Sequence, residues 1–469
     1  MRVLQVAHGF PPEVVGGTER YVETLCRGLL AAGHDVRVVA GSLRYTGRTE
    51  TETIEQDGLT VVRLRRGDLY FDSWDKAYHP HLERLLEAEF EAFRPALVHV
   101  HHWVRLTSTV VRTAARAGVP AVATMHDLYL TCPRVFRVRE ETVLCERELS
   151  AESCLRCVPR WTFQGDDEIR SSIEAYRDDV AGEAACLRVA IAPSLSHAAH
   201  LDRFQPALRG KLQVIPHPSL TAIAPAKRSA PGEKLRVACW SHLHPLKGQH
   251  LLLQALSRLG QPDRVAVDLY GDAFLDDYRE RLHHLAEGFD VTFRGPYLPA
   301  DLSRSVIDVA VIPTMARESY SFILDEAAAL GPPVLAADAG ALAERATERV
   351  RLFRRGDPTD LALKLQELID DEPRRRRMER APPPPTVSLQ EHTARVLKIY
   401  ERAVQEGAPL PPQDDARQRL LREWERRELG FRELLRSEKW EEVIAEQQRV
   451  IEALRRELEL AGGQRSPTS

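Results

Sequence analysis

The chain has 469 residues, 43% of them hydrophobic and 29% charged, and its 65 basic and 69 acidic groups leave a formal net charge of −4. That length exceeds one ordinary domain and indicates two or three, with enough apolar residues to bury large cores. The near-balanced charge excludes the electrostatic footprint of a nucleic-acid binder, and no run of 18 apolar residues offers a membrane span.

The first residues form a short apolar run with no basic leader or cleavage site, so no export signal is expected and the cytoplasm is the expected location. Seven cysteines in so long a chain do not make a disulfide scaffold and are read as reduced core residues or ligands. Arg2–Ala7 reads as a strand and 8–17 as a turn-rich loop. Tyr21, Leu25 and Leu29 then mark a helix ending at Gly33, before a second strand at 36–40. Apolar runs at Leu97–Val100, 121–125 and Val189–Ala192 alternate with helical stretches, which predicts a parallel sheet covered on both faces. After a linker at 219–233, rich in Pro, Ala and Ser, a second series begins at Leu235–Trp240. It continues through a helix from Lys247 and strands at Val265–Tyr270, 291–294, Val309–Ile312 and 333–336. The expected fold class is therefore α/β. Two Rossmann-like domains, 1–218 and 234–385, face across a cleft, with a Cys-rich insertion at 128–160 and a helical tail at 413–461.

In open parallel sheets a ligand binds beyond the carboxyl ends of the strands, so the loops that follow strands carry the chemistry. The first such loop holds Gly16-Gly17-Thr18-Glu19-Arg20 at a predicted helix start, where glycines permit close backbone approach and amides face an anion. A plain strand-to-helix turn explains the pair equally well. The stretch after Val309–Ile312 is more informative, with Glu318 in the loop and Glu326 about two helical turns deeper if the intervening residues are helical. One carboxylate can then meet a sugar and the other the ribose hydroxyls, with a diphosphate on the helix that starts near Ser319. Two solvated glutamates at a helix start are the bland alternative.

Glu318 and Glu326 are followed by Ala327 and Gly331-Pro332-Pro333-Val334; upstream stand Pro11-Pro12, Gly16-Gly17 and Gly33-His34, and His126-Asp127 follows a strand. Together these motifs resemble glycosyltransferase family 4, retaining enzymes of the GT-B architecture, over nearly everything from Arg2 to about Val404. The resemblance implies a nucleotide-diphosphate-sugar donor, a saccharide or lipid-linked acceptor, and a place in polysaccharide or glycoconjugate biosynthesis. It implies that Glu326 binds ribose, Glu318 orients the sugar, His126 lines the reaction centre and Lys247 contacts the donor phosphates. Gly16, Gly17, Ser319, Tyr320 and Ser321 would complete the donor site, and a helix at 386–405 would return to the first domain. The sequence departs from the family at His242, where an arginine is usual, and at Tyr320-Ser321, which replaces Phe-Gly. Gly340-Ala341 likewise stands in place of two glycines. A non-catalytic GT-B scaffold that binds a nucleotide-sugar or a partner is the alternative reading.

No Asp-x-Asp triplet occurs, so no catalytic metal is expected, and Lys247 with helix amides would neutralise the diphosphate. Cys132, Cys145, Cys154 and Cys157 fall within 26 residues and end in a Cys-x2-Cys pair, the spacing of a structural zinc site; four reduced cysteines or a redox pair are the alternative. The basic run 374–377 suggests peripheral contact with the inner face of the membrane, against the default of a solvated loop. In the tail, Ile444, Gln447, Ile451, Leu454, Leu458 and Ala461 step by three and four, a stripe suited to coiled-coil self-association or to a marginal solvated helix.

Overall fold

A computed structural model describes residues 1–140, 142–220, 223–273, 275–410, 416–435 and 441–463. The first half contains β1 (Arg2–Ala7), β2 (Asp35–Gly41), β3 (Glu50–Gln56), β4 (Leu59–Arg65), β5 (Leu97–Val100) and β6 (Ala121–Thr124). A short hairpin follows, β7 (Val138–Arg139) with β8 (Val143–Leu144), then β9 (Val189–Ala192) and β10 (Leu212–Val214). The main sheet has the order β10-β9-β6-β5-β1-β2-β4-β3, parallel except for β3 at the edge. The central strands are buried on both faces, which is why they read as unbroken apolar runs. At the edge, β3 carries alternating glutamates, and Glu50 and Glu52 pair with Arg65 of β4 at 3.2 and 2.5 Å. Charge of this kind protects an exposed strand from pairing with another chain.

The second half contains β11 (Leu235–Trp240), β12 (Val265–Tyr270), β13 (Val291–Gly295), β14 (Val309–Ile312), β15 (Val334–Ala337) and β16 (Val350–Phe353). They form a parallel sheet ordered β13-β12-β11-β14-β15-β16. Strand order reverses between β11 and β14 here and between β1 and β5 in the first sheet, the switch points where loops part and leave a crevice. The helix Leu389–Glu406 packs Val396, Ile399, Tyr400 and Ala403 into the core of the first sheet. Its Tyr400 hydroxyl lies 2.6 Å from His99 Nδ1 and 3.3 Å from Gln5 Nε2.

The tail corrects one expectation. Helices Ala416–Leu435 and Glu441–Gly463 pack on one another and onto the first half, where Leu420, Leu454 and Tyr78 form one apolar cluster with Trp424, Val450 and Leu458. Arg427 also pairs with Asp68 at 2.9 Å. Ile451, Leu454 and Leu458 of the stripe are thus covered within the chain, and self-association is not what buries Ile451 and Leu454. The side chains of Gln447 and Ala461 lie outside the described residues. In the basic run, Arg374 and Arg376 pair with Glu367 and Glu372 at 2.9 and 2.7 Å, which leaves less charge for a lipid surface.

The seam between the halves is built from rings: Tyr21, His126 and His217 from the first, Tyr320 and Phe322 from the second, and His392 from the returning helix. Burial lowers the His126 pKa to about 3 and those of His197 and His392 to about 4, and holds His101 and His217 well below the ordinary value. The folded protein therefore keeps these imidazoles neutral, whereas the unfolded chain protonates them near pH 6.5. Below that pH the unfolded state binds more protons, so stability falls with pH, by up to about 1.4 kcal/mol per pH unit for each histidine.

Next to this seam, Ser321 begins the helix Phe322–Leu330 at φ 74°, a left-handed conformation that favours glycine, and its Oγ is buried without a hydrogen-bond partner. Two outcomes are expected. The melting temperature should drop between pH 7 and pH 5, and a flat profile there would contradict neutral buried imidazoles. Ser321→Gly should stabilise the protein by about 1 kcal/mol, read in a thermal melt as a rise of roughly 2–4 °C.

Candidate active site

Adjacent parallel strands place the loops that follow them side by side, and β11 and β14 are neighbours. After β11 the chain makes the turn Pro245–Lys247, whose Leu246 amide donates to His244 Nδ1 at 3.1 Å. Gly248 follows at φ 74°, so close to the β14 loop that a Cβ there would sit 1.9 Å from the Pro313 carbonyl oxygen. Only glycine meets both demands. The Met315 amide then donates to the Leu246 carbonyl at 2.8 Å, which joins the two loops. This junction sets Lys247 Nζ 3.1 Å from Glu318 Oε1. The Glu318 backbone is held from its far side by the Ala341 amide, which donates to its carbonyl at 2.8 Å.

His126 arrives from the tip of β6. Its carbonyl oxygen accepts a hydrogen bond from Ser319 Oγ at 2.6 Å, directly linking the two halves. His126, Asp127, His197, Lys247, Glu318 and Ser319 line one cavity between the two sheets. The imidazole is oriented from behind. Gln5 donates through Nε2 to Tyr400, so its Oε1 accepts from His101 Nε2 at 2.7 Å. His101 Nδ1 therefore accepts from His126 Nε2 at 3.2 Å, and the neutral His126 keeps an acceptor lone pair on Nδ1.

Glu326 lies in a second cavity with Gly17, Arg20, Phe322 and Asp325. It is 7% exposed, accepts from Trp240 Nε1 at 2.8 Å and stands 3.9 Å from Arg20. Burial raises its pKa despite those partners. Gly16 precedes the helix Gly17–Ala31, and a Cβ on Gly17 would lie 3.2 Å from the Phe322 ring, so the glycine loop touches the helix that carries Glu326. Desolvation and the nearby Lys247 ammonium lower the His242 pKa, so at neutral pH it supplies no positive charge where an arginine would. Tyr320 is buried beneath the Arg345 guanidinium, and neither it nor Ser321 lines the two cavities.

Sequence reasoning passed over several groups at this site. Glu19 is buried beside His8 at 2.9 Å; burial opposes its ionisation, but the His8 hydrogen bond holds its pKa down to about 2. His102 pairs with Asp127 at 3.2 Å. His197 Nε2 is buried in the His126 cavity without a hydrogen-bond partner. Glu19 and Arg20 were in plain view beside Gly16-Gly17 as a charged pair in the first turn of the helix. Trp240 and His197 carry no local signal and emerge only from packing.

The cysteine segment differs from expectation. Cys132, Cys145, Cys154 and Cys157 are free and partly exposed, and among the described residues no group of three or more His, Cys, Asp or Glu is arranged to hold a metal. Burial raises the Cys132 thiol to about 11, with Cys154 and Cys145 adding to the shift. The segment is fastened instead by Arg137, which donates to the carbonyls of Thr131, Cys145 and Arg147. It also reaches the second half, where Glu146 pairs with Arg317 and the Thr142 carbonyl accepts from Arg355 at 2.8 Å.

Residues 15–218 match the family described as Glycosyltransferase Family 4, and residues 234–371 match Glycosyl transferases group 1. The chain is 25% identical over 365 residues to glycogen synthase of Mycobacterium tuberculosis, covering 73% of this chain and 80% of that one. It is 26% identical over 340 residues to D-inositol 3-phosphate glycosyltransferase 1 of Catenulispora acidiphila, covering 67% and 74%. Among solved structures, sucrose-phosphate synthase from Thermosynechococcus elongatus superposes with a TM-score of 0.60 at 20% identity, covering 86% of this chain and 96% of that one. With two facing α/β halves and these relatives, the chain belongs to glycosyltransferase family 4, has the GT-B fold, and is a transferase that takes its glycosyl group from a nucleotide-activated sugar.

Proposed function

We propose that the protein transfers a sugar from a nucleoside-diphosphate donor to a saccharide or lipid-linked acceptor with retention of anomeric configuration. The observation that carries this reading is the meeting of His126, Lys247, Glu318 and Ser319 in one cavity at the strand tips of both sheets. Glu326 would accept hydrogen bonds from the ribose hydroxyls, in the cavity that also holds Gly17 and Arg20. The diphosphate would then reach Lys247, which exchanges its resting partner Glu318 for the phosphate and stabilises the charge that grows as the sugar leaves. Glu318, released, orients the sugar hydroxyls. His126 Nδ1 accepts from a further hydroxyl of the sugar, a role that requires a neutral imidazole.

In this account the acceptor attacks from the face that the leaving phosphate vacates, and that phosphate takes the acceptor proton. No side chain has to serve as nucleophile; the protein supplies charge, orientation and exclusion of water. Polysaccharide or glycoconjugate assembly is the process that such a transfer would serve.

The test is a panel of nucleoside-diphosphate sugars scored by melting shift and by donor hydrolysis or transfer, since a donor that binds only the native state raises its melting point. At least one donor should register on both readouts. Lys247→Ala should then lower kcat/KM for that donor by roughly 10²–10³-fold, the usual effect of removing one preorganised charge partner. Glu326→Gln should raise its KM by about tenfold with kcat largely kept, because ribose binding is shared by ground and transition states. Unchanged kinetics in both variants would refute the assignment.

A further inference from the structure

Beyond the donor cleft, a second groove lies where the tail helices meet the loop that follows β4. Its wall on the tail side is apolar, made by Val450, Ala453 and Leu454 of the helix Glu441–Gly463, facing Tyr78. Its rim is cationic, with exposed Arg48 and Arg84 from the first half and Arg449 from the tail. At its base Arg427 is 1% exposed; it pairs with Glu423 and Asp68, yet its Nη1 is buried without a hydrogen-bond partner. Among the described residues Asp68 is the one acid in the lining, and it is already bridged by Arg66 and Arg427. A buried guanidinium with an unused donor calls for an acceptor, and the arginines of the rim favour one that is negatively charged. The apolar wall excludes a ligand that is polar throughout. The groove holds about 380 Å³, enough for a headgroup and a stretch of hydrocarbon.

We propose that this groove binds an amphiphile with a phosphate headgroup, the phosphate among Arg48, Arg84, Arg427 and Arg449 and the hydrocarbon against the tail helix. The proposal deepens the acceptor reading above and rests on it: the phosphate-bearing end of a lipid-linked acceptor is what the groove would hold. β4 neighbours β2, and β2 neighbours β1, whose following loop carries Gly16-Gly17, so the groove lies on the strand-tip side of the sheet that faces the donor. The tail is then part of the acceptor site, which accounts for its packing on this chain.

The test is equilibrium binding of decyl phosphate, below its micelle concentration, to the full-length protein, beside decanol, inorganic phosphate and phosphatidylglycerol vesicles. Decyl phosphate should bind at least tenfold more tightly than decanol or inorganic phosphate, and Arg84→Glu and Arg449→Glu should each raise its dissociation constant about tenfold. Both positions are exposed, and an unchanged melting shift with the nucleoside diphosphate would show that the variants fold. Equal binding of inorganic phosphate, equal binding of decanol, affinity unmoved by both variants, or capture by vesicles without binding of the monomer would each overturn the proposal. Failure here leaves donor binding intact, whereas failure of the glycosyltransfer reading would appear in the donor panel.

Discussion

The site depends on one close approach, Gly248 against the Pro313 carbonyl. Two adjacent parallel strands deliver their loops to the same place, but side by side is not yet in contact. A residue with no Cβ and a left-handed backbone lets the loops close, and the Leu246 carbonyl then accepts from Met315. A cation from one loop and a carboxylate from the other consequently lie within hydrogen-bond distance before any ligand arrives. Preorganisation of this kind leaves little rearrangement for the moment when phosphate charge develops.

The second constraint is the seam. Ser319 bonds to the His126 carbonyl, the amides of Leu195 and Ser196 bond to Glu344 at 3.0 and 2.9 Å, and Gly17 meets Phe322, so the halves are fastened at several points around the cleft. The returning helix reaches the same region from behind through Tyr400, Gln5 and His101. The orientation of His126 is therefore tied to the docking of a helix far along the chain, and the low pKa values of the surrounding imidazoles follow from the dryness of that packing.

Much of this was legible in the sequence, for identifiable reasons. Strands buried on both faces, such as β11 and β14, cannot be disguised as anything but apolar runs, and the α/β class followed from their rhythm. Glu318 and Glu326 were singled out by their spacing after a strand and Lys247 by the family resemblance; the structure brings Lys247 and Glu318 together and puts Glu326 in a separate cavity. The edge strand β3 went unnamed because its solvent face is polar, and β16 because Arg351 breaks its four-residue apolar run; β4 went unnamed although Leu59, Val61, Val62 and Leu64 are apolar and buried. The cysteines show the opposite failure. Their spacing is a one-dimensional signal, and the segment is held by a buried arginine whose partners are backbone carbonyls. In the tail the period was right, but a period cannot say whether the partner is another chain or the same one.

The central claim is that a diphosphate lies across the joined loops, with Lys247 leaving Glu318 to meet it. A crystal structure of the protein with the nucleoside diphosphate of its donor tests this most directly. The ribose hydroxyls should lie within hydrogen-bond distance of Glu326 and the terminal phosphate on Lys247, with the Lys247–Glu318 pair broken. A nucleotide bound with its phosphates remote from Lys247, and that ion pair intact, would contradict the account.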